Sequence, residues 1–127
     1  MEIVIERVAA LTVGSRVAFG CECGRAEGFW VGEMPVVGER YTVELGIEKP
    51  VSIGDNCIET ILGVGIRMEG DIACVVGEVV ETWCGGTAFR LDCGCGALDL
   101  EVAHGQVALW RRYELRTQEL KLYDCNY

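Results

Sequence analysis

Apolar and polar residues alternate with a period of two along most of this chain, and the 3.6-residue spacing of an amphipathic helix is nearly absent. Ile3 and Ile5 fall on one face of an opening segment, Glu2–Val8, with Val4 opposite. The same pattern predicts strands over Arg16–Cys23, Glu27–Val31 and Arg40–Ile47, the last with Tyr41, Val43 and Leu45 on one face. Residues 49–56, with Pro50, Gly54, Asp55 and Asn56, read as a connection. Beyond it, strands are predicted over Ile58–Met68, Ile72–Trp83, Ala88–Leu91, Leu98–Val102, Val107–Leu115 and Glu119–Tyr123. The intervening turns are Val13-Gly14-Ser15, Gly24-Arg25, Glu69-Gly70-Asp71, Cys84-Gly85-Gly86-Thr87, Gly94–Gly96 and His104-Gly105-Gln106.

This pattern predicts an all-β protein with one domain over 1–127. N-terminal strands occupy 1–48, a connecting loop 49–56 and a barrel-like half 57–127. Gly77 inside the longest strand marks a bend or a bulge at a barrel corner. GEVVETWCGGTAFRLDCG then reads as a bent strand, a hairpin and a return strand, as OB-type Greek-key barrels use. A small OB-like barrel is therefore expected in the second half, covered or extended by the N-terminal strands; a β-sandwich is the alternative. A chain of 127 residues buries roughly two-thirds of its unfolded surface without needing a disulfide or metal.

Charge narrows the function classes. Twenty acidic against eleven basic residues give a net charge of -9, and Lys49 and Lys121 are the only lysines. That field repels nucleic-acid phosphates and anionic membranes and attracts basic proteins. No apolar run approaches the ~20 residues of a membrane span, and the opening MEIVIERVAALTVGSR does not look like a secretory signal. The expected location is the cytoplasm.

Half of the eight cysteines stand in two short stretches, GCECGR (20–25) and DCGCGA (92–97). Cys21, Cys23, Cys93 and Cys95 would close a zinc site if their turns met, since structural zinc takes four donors at ~2.3 Å. However, VAFGCEC looks extended, and strand spacing holds Cys21 and Cys23 with Cβ atoms ~6.5–7 Å apart. Cys57, Cys74, Cys84 and Cys125 are scattered, and Cys74 lies in the apolar IACVV. The expectation is that cysteine acts as a small hydrophobe in the core, with no metal and no cofactor.

Catalytic constellations are sparse. His104 is the only histidine, so two-histidine acid–base and zinc-hydrolase arrangements are excluded, and nothing selects a cysteine to pair with it. Glu78 with Glu81, and Asp99 with Glu101, read as solvated strand faces. The aromatics Phe29, Trp30, Trp83, Phe89, Trp110 and Tyr41, Tyr113, Tyr123 and Tyr127 would suit a stacking platform only beside a basic groove. The one basic cluster, Arg111, Arg112, Arg116 and Lys121, is mixed with acid.

The C-terminal RRYELRTQELKLYDCNY, and within it Glu119-Leu120-Lys121-Leu122-Tyr123-Asp124-Cys125-Asn126, resembles the ending of a group of small bacterial β-rich proteins. These close in a strand followed by something like E-L-Y-D-T-N. LTVGSRVAF, Trp30 and VGERYTVEL are similar to the same group, and Cys125 stands where it has Thr. The resemblance implies an association with immunity proteins of bacterial toxin systems and no catalytic residue. Together with the charge, it leads to the expectation of a non-enzymatic module that neutralises a cognate basic toxin domain by occluding it. Outward carboxylates would meet that partner: Glu33, Glu39, Glu44, Glu78, Glu81, Asp99 and Glu101. The alternatives are an OB-like module for single-stranded nucleic acid and a zinc-stabilised β protein built on Cys21, Cys23, Cys93 and Cys95.

Overall fold

The computed structural model describes residues 1–12 and 14–125. Val13 in the expected first turn, Asn126 in the C-terminal motif, and Tyr127 lie outside the described residues. The first part of the chain folds as β1 (Glu2–Ala10), β2 (Ser15–Cys21), β3 (Gly24–Val31), β4 (Arg40–Gly46), β5 (Val51–Ser52) and β6 (Cys57–Glu59). Then come β7 (Gly65–Glu69), β8 (Ile72–Trp83), β9 (Ala88–Asp92), β10 (Ala97–His104), β11 (Arg112–Thr117) and β12 (Lys121–Asp124). A short 3-10 turn, Cys84–Gly86, joins β8 to β9. No helix among the described residues is long and apolar enough to cross a membrane.

The protein is all-β and contains a closed five-stranded barrel with further strands attached. Antiparallel ladders join β1 to β2, β2 to β3 and β1 to β4. β12 closes the ring by lying parallel to β3 on one edge and antiparallel to β4 on the other. The order around the ring is thus β1-β2-β3-β12-β4. Alternation fills its interior: Ile3, Ile5, Val17, Phe19, Ala26, Trp30, Val43, Leu45, Leu120 and Leu122 are all buried. Glycine is required at position 28, because a Cβ there would lie 2.6 Å from Leu122 Cδ1 and 2.8 Å from the Leu120 carbonyl oxygen.

The barrel therefore does not sit in the second half, as the sequence reading places it. Residues 51–117 supply a sheet appended to the ring, and the chain returns to close the barrel only at β12. The appended sheet is organised on β8. Val75 and Val76 pair with both β7 and β11, while Glu78 pairs with both Arg112 of β11 and Asp92 of β9. One edge of β8 thus carries β7 and then β9, and the other carries β11. β6 adds outside β11, and β10 and β5 add beyond β9. Between ring and sheet, β3 and β7 share a single paired position, Gly24 with Ile66.

Three local expectations change. The predicted Ile58–Met68 strand is two strands, because residues 60–64 leave the sheet and expose Ile61 almost completely, at 97%. Val107–Leu115 pairs only from Arg112, after a turn in which Trp110 has a positive φ of 66°. The 49–56 connection contains β5. Gly77 has a steric reason: a Cβ there would lie 2.6 Å from the Asp92 carbonyl oxygen. The register irregularity of β8 falls between Val79 and Glu81 instead.

A cross-strand ion network spans β7 and β11. Glu114 is buried and accepts from Arg67 at 2.9 Å and Arg116 at 3.0 Å, and Arg116 also reaches Glu69 at 2.7 Å. The Glu114→Ala variant leaves both guanidinium groups short of a partner. Because these are partly solvated, the expected cost is modest, about 1–2 kcal/mol, read from the urea midpoint. The hydrogen bond from Arg116, then that from Arg67, holds the Glu69 carboxyl below its usual value of 4.5. A lowered folded-state pKa gives stability that is present above the unfolded value and lost as pH falls through the folded one. Urea midpoints of the native protein and Glu69→Gln should therefore differ at pH 7 and converge below the usual carboxylate range. A constant gap would refute the linkage.

Candidate functional site

The repeated C-x-C-G pattern forms two hairpin turns, one from the barrel and one from the appended sheet, and they meet. β2 ends at Cys21, and Glu22-Cys23 form a two-residue connection closed by the Cys21–Gly24 pair. The 93–96 turn between β9 and β10 is closed by the Cys93 N–H donating to the Gly96 carbonyl at 2.9 Å. Asp92 Oδ1 also accepts from the Gly94 N–H at 2.8 Å, the local bond that suits Asp to turns. Gly24 and Gly94 have φ of 132° and 104°. A Cβ on Gly94 would sit 3.4 Å from Cys23 Sγ, and one on Gly24 would lie 2.0 Å from the Ile66 carbonyl oxygen.

The sulfurs of Cys21, Cys23 and Cys95 consequently gather so that all three lie within 4.8 Å of one another. Cys21 and Cys95 sulfurs are 3.7 Å apart. Cys23 Sγ accepts a 3.0 Å hydrogen bond from the Cys95 N–H and donates to the Cys93 carbonyl at 3.1 Å. This corrects the extended reading of VAFGCEC: Cys23 is in a turn, and the three clustered cysteines are half-buried rather than core residues. Cys93 does fill the core, with its thiol donating to the Gly96 carbonyl at 3.2 Å. Cys57 and Cys74 are buried, Cys84 is exposed and Cys125 half-buried.

Burial, with the Cys95 thiol beside it, pushes the Cys23 thiol up to about 12. Burial also raises Cys21, takes Cys93 to about 11 and takes Cys57 to about 12. Such thiols are protonated near neutrality and poorly suited to nucleophilic attack, which requires a depressed pKa. His104 is exposed at the end of β10, and its side chain makes no hydrogen bond or ion pair among the described residues. A second group, Glu69, Cys74 and Glu114, also converges, but Arg67 and Arg116 already occupy its carboxylates.

The seven carboxylates named from sequence do not form one patch. Arg90 links Glu81 of β8 and Asp99 of β10, contacting Asp99 at 2.8 Å and Glu81 at 3.5 Å, and its guanidinium lies over Trp83. Asp99 and Glu44 line a common groove of roughly 520 Å³ with Tyr123 and Arg90. Glu101 lies two residues beyond Asp99 on the same face of β10. Glu78 belongs to β8, opposite Arg112. Glu33 and Glu39 lie on the exposed β3–β4 connection, where the Glu33 carbonyl accepts from Trp30 Nε1 at 2.6 Å.

The sequence reading did not single out an exposed apolar pair of loops. Ile61, Leu62 and Val64 on the β6–β7 loop are exposed, as are Leu109 and Trp110 before β11. The loops are tied together: the Thr60 N–H donates to the Arg112 carbonyl, and Arg112 Nη1 donates to the Leu62 carbonyl, both at 3.0 Å. Trp110 is 67% exposed on a left-handed backbone, while its N–H donates to the Val79 carbonyl at 2.7 Å. The available signal was the apolar run in ETILGVG, whose Ile61, Leu62 and Val64 the fold leaves exposed. Comparison with protein-family models, with curated proteins and with solved structures finds no match.

Proposed function

We propose that this chain is a non-enzymatic, cytoplasmic protein-binding module that neutralises a basic partner domain by covering it, as bacterial immunity proteins cover toxins. The observation that carries the reading is the exposed pair of loops bearing Ile61 and Trp110, at 97% and 67% exposure. Large apolar side chains gathered on a surface suit a protein contact, and a fixed Trp is the residue type that most often dominates one. Charge supports a basic partner: Glu33, Glu39, Glu44, Glu78 and Glu101 make no ion pair among the described residues, on a chain of net charge -9. Such carboxylates chiefly raise the encounter rate.

The ring order supports an OB-type Greek-key barrel, but the aromatics favour a protein partner over single-stranded nucleic acid. Trp30, Phe89 and Tyr113 are buried, and Tyr41 packs edge-on against Trp30. Arg111 is held by Glu59, Arg112 by the Leu62 carbonyl, Arg116 by Glu69 and Glu114, and Lys121 by Glu48.

The test is co-expression with the domain encoded by the neighbouring gene, combined with calorimetric titration of the purified pair. Protection of the cells and tight binding are expected. Trp110→Ala should weaken binding by about 30-fold or more while leaving the melting curve in place. The reading fails if the wild-type chain neither protects nor binds. It fails equally if a folded Ile61→Asp/Trp110→Ala double variant binds unchanged.

A further inference from the structure

The Cys21–Cys23–Cys95 cluster belongs neither to the packed core nor to the exposed loops. Its three sulfurs come from two turns on opposite sides of the junction between barrel and sheet; at Gly24 a Cβ would meet the Ile66 carbonyl oxygen at 2.0 Å, and Gly94 holds a φ of 104° that favours glycine. A zinc–sulfur bond of ~2.3 Å in tetrahedral geometry puts neighbouring sulfurs about 3.8 Å apart. The Cys21–Cys95 separation of 3.7 Å matches that edge. The Cys95 N–H aimed at Cys23 Sγ is the outer hydrogen bond that orients a sulfur ligand and stabilises its negative charge. Three soft donors in one sphere select a thiophilic ion over Mg²⁺ or Ca²⁺. A disulfide would engage only two of them.

We propose that Cys21, Cys23 and Cys95 bind one Zn²⁺ through three thiolates, with Cys93 outside the ligand set and the fourth position facing solvent. Cys21 and Cys95 open onto a groove of roughly 770 Å³, also lined by Glu6, Arg25 and Arg40, and a water there completes the tetrahedron. On binding, three S–H bonds break, three Zn–S bonds form and three protons pass to solvent, with no change in oxidation state, so affinity rises with pH. The ion ties residue 21 to residue 95 where the ring and the sheet share one paired position, Gly24 with Ile66. It therefore closes a long loop and stabilises the junction.

The experiment uses the full chain, reduced and metal-free, titrated with Co²⁺ and then with Zn²⁺. Expected are one equivalent of Co²⁺ with thiolate-to-metal charge-transfer absorption and tetrahedral d–d bands, bleached by one equivalent of Zn²⁺. Zn²⁺ should also raise the melting temperature by several degrees. Cys95→Ser should lose about 100-fold or more in affinity, whereas Cys93→Ala should keep the stoichiometry and spectrum. Far-UV circular dichroism establishes that both variants are folded. The proposal is overturned if the reduced protein takes up neither ion, or if folded Cys95→Ser binds like the native chain. It is also overturned if folded Cys93→Ala loses the site, or if a Cys21–Cys95 disulfide forms in a protein that binds no metal once reduced.

Discussion

Gly24→Ala is expected to lower the urea midpoint further than any other single methyl addition in the ring. Two costs combine at this position. An alanine at a φ of 132° is strained on its own account, by about 1–3 kcal/mol. Its Cβ would also stand 2.0 Å from the Ile66 carbonyl oxygen, a backbone atom that cannot swing aside. Relief requires parting β3 from β7, which breaks the 2.8 Å hydrogen bond from the Ile66 N–H to the Cys23 carbonyl. A buried donor left without a partner adds about 1–3 kcal/mol. A total of about 2–6 kcal/mol is a large share of the ~5–15 kcal/mol that holds a domain folded. Gly38→Ala is the control, because Gly38 has a φ of 88° with nothing within 4 Å of the added carbon. Only the strain is felt there, so equal losses in the two variants would refute the steric account.

Ending the chain after Gln118 should abolish the folded state. The missing segment carries Leu120 and, in β12, Leu122, which are buried to 1% and 0% exposure. Burying each leucine is worth about 1.5–3 kcal/mol. Two ladders disappear with them, and the facing edges of β3 and β4 are left without partners. Collapsed dispersion in a proton–nitrogen correlation spectrum is the expected result, and a cooperative melt within a few degrees of the full chain would contradict it. Leu122→Ala gives a graded version, with an expected loss of about 2–5 kcal/mol.

Local structure was well written in the alternation of residues. β8 runs from Ile72 to Trp83, the predicted limits, because its apolar positions and the Gly70 and Cys84–Thr87 turns bracket it. Ring closure was not legible. It rests on the pairing of Gly46 with Lys121, two residues far apart in sequence, and no local pattern encodes such a partner. The Ile58–Met68 error has a physical source: an exposed apolar loop looks like a buried strand when only hydropathy is read. The same ambiguity hid Cys23. Val17–Cys21 alternates as an inward-facing strand should, and the break comes at Glu22. The repeated C-x-C-G was visible in both stretches, but only the folded chain brings residues 21 and 95 together. The named carboxylates were correctly placed on strand faces in the cases of Asp99 and Glu101, yet neither strand pattern shows that Arg90 neutralises part of that surface.

Since Gly46 and Lys121 stand side by side on adjoining strands, everything between them leaves the ring and comes back through one doorway. A short connection from Gly46 to Leu120 would keep all five seams of the cylinder. The intervening stretch can therefore be lengthened, shortened or exchanged for another without rethreading the ring, so one frame can carry different attachments.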